Sequence, residues 1–83
     1  MSAPEDLHER LLALSARTLE VAPSQLLPEA LLSDDLGIDS LAAIEWGMTI
    51  EDAFGVSIPE DAWADVVSYG MVEDLVRRQL TGA

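Results

Sequence analysis

The chain has 83 residues, a length that allows one small domain and leaves no room for a second hydrophobic core. It carries 16 acidic side chains against 4 lysine or arginine side chains, giving a net charge of −12, and it has no cysteine. Such acidity disfavours binding to nucleic acids or anionic membranes, and the missing thiol excludes disulfides, thiolate metal sites and a cysteine nucleophile. Since 49% of the residues are apolar, we expect a packed core.

The distribution of apolar and basic residues along the chain indicates where the protein is located and what kind of partner it binds. No apolar run approaches the roughly 18 residues of a membrane span, and the N-terminus is acidic, unlike a signal peptide. We therefore expect a soluble, cytoplasmic protein. We also expect it to be a monomer. No basic residue occurs between residues 18 and 76. That stretch is either a solvated surface or a docking face for basic partners, and composition alone leaves both possibilities open.

The first predicted element is an amphipathic helix that starts with capping-box spacing over residues 2–5 and ends near Val21, before Pro23. A loop over residues 22–38 follows. A loop of that length in so small a domain more often has a function than serves only as a connection between helices. Its leucines are too apolar to be left in solvent, so we expect them to pin the loop over the core: Leu26, Leu27, Leu31, Leu32 and Leu36.

The second predicted helix runs from an N-cap at Asp39 or Ser40 to Phe54, and Gly55 is expected to end it. Two apolar stripes follow helical spacing at different angles around its axis. One stripe consists of Ala43, Trp46 or Gly47, Ile50 and Phe54; the other consists of Leu41, Ile44 and Met48. One stripe is enough for the core, so the other should face a flanking helix or a visiting molecule.

Two further helices complete the predicted fold. A short one covers residues 59–65, and a last helix follows a cap at Ser68. The predicted inner face of the last helix comprises Val72, Leu75 and Val76 with Gln79 and Leu80, and Arg77 and Arg78 complement the negative end of its dipole. No alternating run indicates a strand. We therefore predict the all-α class: a small four-helix bundle with three main helices and one short one.

Motifs for catalysis or metal binding are weak. His8 has no partner signature and is expected on the surface, and no serine lies in a nucleophile elbow. Asp34 and Glu45 have the spacing of the first and last ligands of a calcium-binding EF-hand loop. The loop fails this test because Leu36 and Ile38 occupy ligand positions and Asp39 replaces the required glycine. We expect no dedicated metal site and no intrinsic catalytic activity.

Ser40 is the most informative polar residue. It follows Gly37, which permits a sharp turn, and it stands at the exposed start of the second predicted helix. An anion attached to its hydroxyl, such as a phosphate ester, would be favoured by the helix N-terminus. An ordinary N-cap role for Asp39 or Ser40 would explain the same residues.

The segment over residues 35–41, D-L-G-I-D-S-L, resembles the D-L-G-x-D-S-L signature of acyl carrier proteins. The resemblance covers nearly the whole chain and continues through Ile44-Glu45, Ile50-Glu51-Asp52, Phe54-Gly55 and Ile58-Pro59. It implies one carrier domain over residues 1–83, with 4′-phosphopantetheine attached to Ser40. A separate Mg²⁺-dependent phosphopantetheinyl transferase would supply this group from coenzyme A. The thiol of the arm carries acyl groups as thioesters, which would suit a chain without cysteine.

The resemblance also implies roles for neighbouring residues. Partner enzymes with basic docking surfaces would contact Asp35, Asp39, Leu41, Ile44, Glu45, Met48, Glu51 and Asp52, with Glu60, Asp61 and Asp65 extending the acidic surface. The large Trp46, the helix-weakening Gly47, Trp63 and the Tyr69-Gly70-Met71 run depart from the family pattern. Candidates for an inner acyl pocket are Trp46, Ile50, Phe54, Trp63 and Tyr69. The other interpretation of the departures is compensating packing, with a large residue beside a small one.

The predicted function is that of an acyl carrier serving polyketide or fatty-acid type synthesis. Two alternatives stay open. A peptidyl or aminoacyl carrier shares the attachment chemistry, although Asp39 directly before Ser40 and the strong acidity favour the acyl class. An unmodified acidic helical adaptor would instead bind a basic partner through Leu41, Ile44 and Met48.

Overall fold

The computed structural model describes residues 4–81, with side chains from residue 6 onward, and these residues form four α-helices. Helix α1 spans Pro4–Leu19, α2 spans Ser40–Phe54, α3 spans Glu60–Ala64 and α4 spans Tyr69–Thr81; a 3₁₀ turn at Pro23–Gln25 lies between α1 and α2. Within this range extended pairing is limited to one isolated bridge, between Leu31 and Ser68. The predicted all-α class with three longer helices and one short helix is confirmed. None of the described helices is long and apolar enough to cross a membrane.

The helix ends differ slightly from the predicted ones. The capping box predicted over residues 2–5 begins outside the described residues. Helix α1 stops two residues before Val21 because Glu20 adopts the left-handed φ of 58°, which turns the chain out of the helix. Helix α3 is one residue shorter at each end than predicted, since Pro59 is its extended N-cap and Asp65 its C-cap.

Helices α1, α2 and α4 enclose the core. Leu11, Trp46, Ile50 and Val72 are completely buried, and the Trp46 indole stacks on the Tyr69 ring with centroids 6.3 Å apart and planes inclined by 10°. The other buried apolar side chains are Leu7, Leu26, Ala30, Ile58, Leu75 and Val76. The predicted inner face of α4 is therefore correct for Val72, Leu75 and Val76. It is wrong for Leu80, which is exposed near the end of the helix.

Backbone pairing, more than leucine burial, holds the loop between α1 and α2. Leu26 is buried and Leu32 and Leu36 pack against the core, but Leu27 and Leu31 are exposed, which corrects the prediction for those two. The loop is anchored instead by hydrogen bonds to the segment before and at the start of α4. The N–H of Leu32 donates to the Val67 carbonyl, and the N–H groups of Tyr69 and Gly70 donate to the carbonyls of Ala30 and Pro28.

Polar side chains link the helices at the surface. His8 is exposed, as predicted, and its Nδ1 lies 2.8 Å from Oε1 of Glu73, which joins α1 to α4. Arg77 pairs with Glu73 and Asp74 within α4, so its guanidinium contacts carboxylates as well as standing near the end of the helix. Arg10 of α1 donates to the Ala53 carbonyl in the last turn of α2, where a cation is favourable.

Candidate functional site

Ser40 is the first residue of α2 and is exposed at the surface. Asp39 precedes it as the N-cap: its backbone is extended (φ −91°, ψ −178°) and its Oδ1 accepts the Ala42 N–H at 2.8 Å. The sequence predicted an N-cap at either Asp39 or Ser40, and the structure shows that Asp39 is the N-cap. The Ser40 side chain is exposed and its hydroxyl has no hydrogen-bond partner among the described residues. The hydroxyl is therefore free to react.

The loop before Ser40 is folded back on itself. Asp35 Oδ2 accepts the Leu31 N–H at 2.8 Å, and the Ile38 N–H donates to the Leu32 carbonyl at 2.9 Å. Gly37 turns the chain with φ of 66°, a conformation that side chains rarely adopt. These contacts fix the segment from which Ser40 projects.

The two apolar stripes of α2 face opposite environments, as the sequence predicted. Trp46 and Ile50 are completely buried, whereas Leu41, Ile44 and Met48 are 66%, 60% and 60% exposed. We call these three exposed residues the α2 stripe. No described element covers the α2 stripe, so it is available to another molecule.

The acidic residues around the α2 stripe are of two kinds. Asp35 and Asp39 accept backbone N–H groups in the loop and at the cap, and Glu51 Oε2 accepts the Ile58 N–H at 2.7 Å. Glu45 and Asp52 are exposed, with no ion pair to any described residue. Sequence reasoning missed the structural role of Glu51, because its partner lies seven positions away, beyond the end of α2. In the described part of the chain no group of three or more histidine, aspartate or glutamate side chains is placed to hold a metal ion.

Two open grooves adjoin the start and the exposed side of α2. A groove of about 400 Å³ lies beside Ser40 and includes Leu31, Ile38 and Val67 in its walls. A second groove of about 610 Å³ lies between α2 and α3, with Ile44, Met48 and Trp63 among its lining residues. Both grooves share Leu32, Ala43 and Val66, so together they form one path from Ser40 along α2.

The five candidates for an inner acyl pocket occupy different environments. Trp46, Ile50 and Tyr69 are buried in the core, and Phe54 is half-buried, with its ring under the guanidinium of Arg10. Trp63 is half-buried and lines the groove between α2 and α3. A pocket role for the five residues together remains a prediction.

Gly47 and Trp63 explain one departure from the family pattern. A Cβ atom at Gly47 would lie 3.1 to 3.3 Å from three atoms of the Trp63 indole, closer than an ordinary contact. The same indole is tilted against Trp46, with ring centroids 5.9 Å apart. A glycine on α2 thus makes room for a tryptophan on α3, which is the pairing of a large residue with a small one.

A polar pair is buried within the core. Trp46 donates its indole N–H to the Ser15 hydroxyl at 2.9 Å, and both side chains are completely buried. The Tyr69 hydroxyl is also buried, and no described group meets hydrogen-bond geometry with it. Burial and the nearby charge of Glu73 raise the pKa of Tyr69 to about 12, with a smaller opposing effect of the Ser15 hydroxyl. Sequence reasoning missed Ser15, because a single serine within a helical pattern gives no signal of its partner.

Comparison with known proteins agrees with this geometry. The sequence model of the family described as "Phosphopantetheine attachment site" matches residues 9–78. The acyl carrier protein of Helicobacter pylori (strain G27) is 41% identical over 66 residues, which cover 80% of this chain and 85% of that protein. The acyl carrier protein of Zymomonas mobilis subsp. mobilis is 41% identical over 71 residues, covering 86% of this chain and 87% of its own length. The chain therefore belongs to the acyl carrier protein family, whose members carry acyl intermediates on phosphopantetheine.

Proposed function

We propose that Ser40 is the residue to which phosphopantetheine is attached, in a single carrier domain of the cytoplasm. The supporting observation is the exposed Ser40 hydroxyl, without a partner among the described residues, at the start of α2 beside the α2 stripe. When bound, the group supplies a thiol that holds acyl chains as thioesters. The chain's own residues hold and present this group and catalyse no step. The acyl chains serve polyketide or fatty-acid type synthesis.

The surroundings of Ser40 suit a phosphate ester. The start of α2 carries the partial positive charge of a helix N-terminus, which favours the negative charge of the phosphate. Asp39, the neighbouring acid, already accepts a backbone N–H and helps to fix the helix start. The open groove next to Ser40 leaves space for the rest of the arm beyond the phosphate.

Partner enzymes, including the phosphopantetheinyl transferase, dock on the α2 stripe through basic surfaces. The exposed Glu45 and Asp52 flank this apolar surface on α2, and Glu60 and Asp61 add acidic charge on α3. Complementary charge accelerates encounter, while a small apolar contact keeps release easy. A carrier that visits several enzymes in turn needs both properties.

The attachment is tested by intact mass spectrometry after incubation with a phosphopantetheinyl transferase and coenzyme A. The wild type should gain the mass of one phosphopantetheine, and Ser40→Ala should gain none. Ser33→Ala is the matched control, because Ser33 is an exposed serine in the loop that leads to Ser40, and it should be modified like the wild type. Modification of Ser40→Ala, or no gain in the wild type with several transferases, would refute the proposal.

The docking surface is tested with charge-removing substitutions at residues without a backbone-bonding role. Glu45→Gln and Asp52→Asn should each lower the rate of modification severalfold at low salt, because each removes part of the steering field. The difference from the wild type should shrink as salt is added. Glu9→Gln removes the same charge from the exposed side of α1 and serves as control. Equal effects of all three substitutions would show that only net charge matters, against a defined docking face.

A further inference from the structure

We infer that the part of the phosphopantetheine arm next to its phosphate lies in the groove beside Ser40, against the side chains of Leu31 and Val67. This inference rests on the proposed attachment at Ser40 and adds the surface that the arm contacts.

Leu31 and Val67 expose apolar surface where the arm must begin. Leu31 is 40% exposed and Val67 is 57% exposed, and both line the groove of about 400 Å³ that includes Ser40. Neither side chain is one of the buried residues of the hydrophobic core or one of the partly buried residues packed against it. Apolar surface of this kind gains free energy when another apolar group covers it.

The wall that presents these two side chains is held in place before any ligand arrives. The Leu32 N–H bonds to the Val67 carbonyl at 2.9 Å and the Tyr69 N–H bonds to the Ala30 carbonyl at 3.0 Å, on either side of the bridge between Leu31 and Ser68. A preformed surface avoids the entropic penalty of ordering a loop on binding.

The close approach of Gly70, at the start of α4, to Pro28 of the loop also holds this wall of the groove in place. A Cβ atom at Gly70 would lie 2.9 Å from the Pro28 carbonyl oxygen, which accepts the Gly70 N–H. Only glycine fits there without movement of the backbone, so the loop and the start of α4 keep one spacing.

The chemistry of the arm identifies the group that lies on this wall. After the phosphate the arm has one methylene and then a carbon bearing two methyl groups, and its hydroxyl, amides and thiol come later. The two methyl groups therefore stay within a few bonds of the Ser40 oxygen, whichever way the arm turns. Asp34 and Asp39 also line this groove and repel the phosphate, which stays at the start of α2 while the methyl groups enter the groove.

Leu41 is the competing contact. It follows Ser40 directly and is 66% exposed, but it belongs to the α2 stripe and is not among the lining residues of the groove. A single side chain on a convex helix surface covers less of the arm than a groove with apolar walls from two segments. Contact at Leu31 and Val67 also leaves the α2 stripe free for partners.

The experiment is methyl NMR spectroscopy of the full chain before and after transfer of phosphopantetheine. We expect nuclear Overhauser effects between the two arm methyl groups and the methyl groups of Leu31 and Val67. In Val67→Ser these contacts should be lost at residue 67 and weakened at Leu31. Leu27→Ser, at an exposed apolar residue outside both the groove and the α2 stripe, should leave them unchanged.

The outcomes separate the inference from the proposed attachment. No gain in mass would refute attachment itself, whereas a gain in mass without contacts at Leu31 and Val67, or with contacts at Leu41 instead, would overturn only the inference. Val67→Ser should keep the fold because the side chain is mostly exposed, and the spectrum before modification checks this. Should it not fold, Leu31→Ser provides the same test from the opposite wall.

Discussion

The Tyr69 hydroxyl offers the sharpest test of the core, because it is buried and has no hydrogen-bond partner among the described residues. Tyr69→Phe removes the hydroxyl and keeps the ring that stacks on Trp46. A buried hydroxyl without a partner lowers the stability of the folded state by roughly 1–3 kcal/mol. Removing it restores only part of this free energy, because the small void left behind is itself destabilising. We expect Tyr69→Phe to raise the free energy of unfolding by about 1 kcal/mol, which is a rise of about 4–8 °C in Tm for a domain of this size.

The pH dependence gives a second readout of the same group. Burial raises the pKa of Tyr69 to about 12 from its ordinary value of 10.0. Above pH 10 the unfolded chain releases the phenolic proton more readily than the folded chain, so the wild type should lose stability as the pH rises from 10 towards 12. Tyr69→Phe should not show this loss.

The amino-acid composition makes this pH titration specific to Tyr69. The four basic side chains are Arg10, Arg17, Arg77 and Arg78, so the chain has no lysine; it also has no cysteine, and Tyr69 is its one tyrosine. Arginine stays charged throughout this pH range. Tyrosinate absorbance and thermal unfolding, followed together at alkaline pH, therefore report on one side chain.

The result that would refute the reasoning is a loss of stability in Tyr69→Phe at neutral pH. It would mean that the hydroxyl is hydrogen-bonded, and Ser15 is the candidate partner because its hydroxyl lowers the pKa of Tyr69. Tyr69→Phe in a Ser15→Ala background separates the two cases, because a real bond between the hydroxyls makes the effects non-additive. An alkaline transition that persists in Tyr69→Phe would equally contradict the assignment.

Two further predictions concern α2. Asp39→Ala should lower the free energy of unfolding by about 1 kcal/mol through loss of the cap on the Ala42 N–H, whereas Asp39→Asn keeps an acceptor and most of the stability; a similar loss in both would contradict a capping role. Gly47→Ala should fall short of the about 1 kcal/mol that alanine gains over glycine in a helix, since its Cβ meets the Trp63 indole; in a Trp63→Ala background the full gain should return. Thermal unfolding of the four variants measures this coupling, and equal effects of Gly47→Ala in both backgrounds would disprove the contact.

Helix α2 could be predicted from the sequence because its determinants are local. A carboxylate at the cap, apolar residues at helical spacing and a glycine with φ of 67° at the end all act within a few positions of one another. The exposed position of the α2 stripe followed from the same pattern, since one stripe was enough for the core.

Contacts between distant segments could not be predicted in this way. Leucine composition indicated that the loop lies over the core, but the exposure of Leu27 and Leu31 depends on backbone pairing with the segment that leads into α4. The partners of Ser15 and Glu51 are likewise set by tertiary packing and by the course of the chain after α2. Hydrophobic patterning describes one element at a time and does not specify which backbone groups meet.

The negative charge of Glu45 and Asp52 on α2 is strong because no described basic side chain forms an ion pair with them. Arg10 binds a carbonyl at the end of α2 and covers the Phe54 ring, and Arg77 pairs with carboxylates of α4. The ion pairs of His8 and Arg77 involve Glu73 and Asp74 of α4, and none involves Glu45 or Asp52. The field of these two carboxylates is therefore not neutralised by an ion pair, and solvent and salt screen it, so a basic partner would encounter it most strongly at low ionic strength. On the proposed docking surface the charge pattern would thus depend on α4, which keeps Arg77 paired with its own carboxylates although it does not carry Ser40.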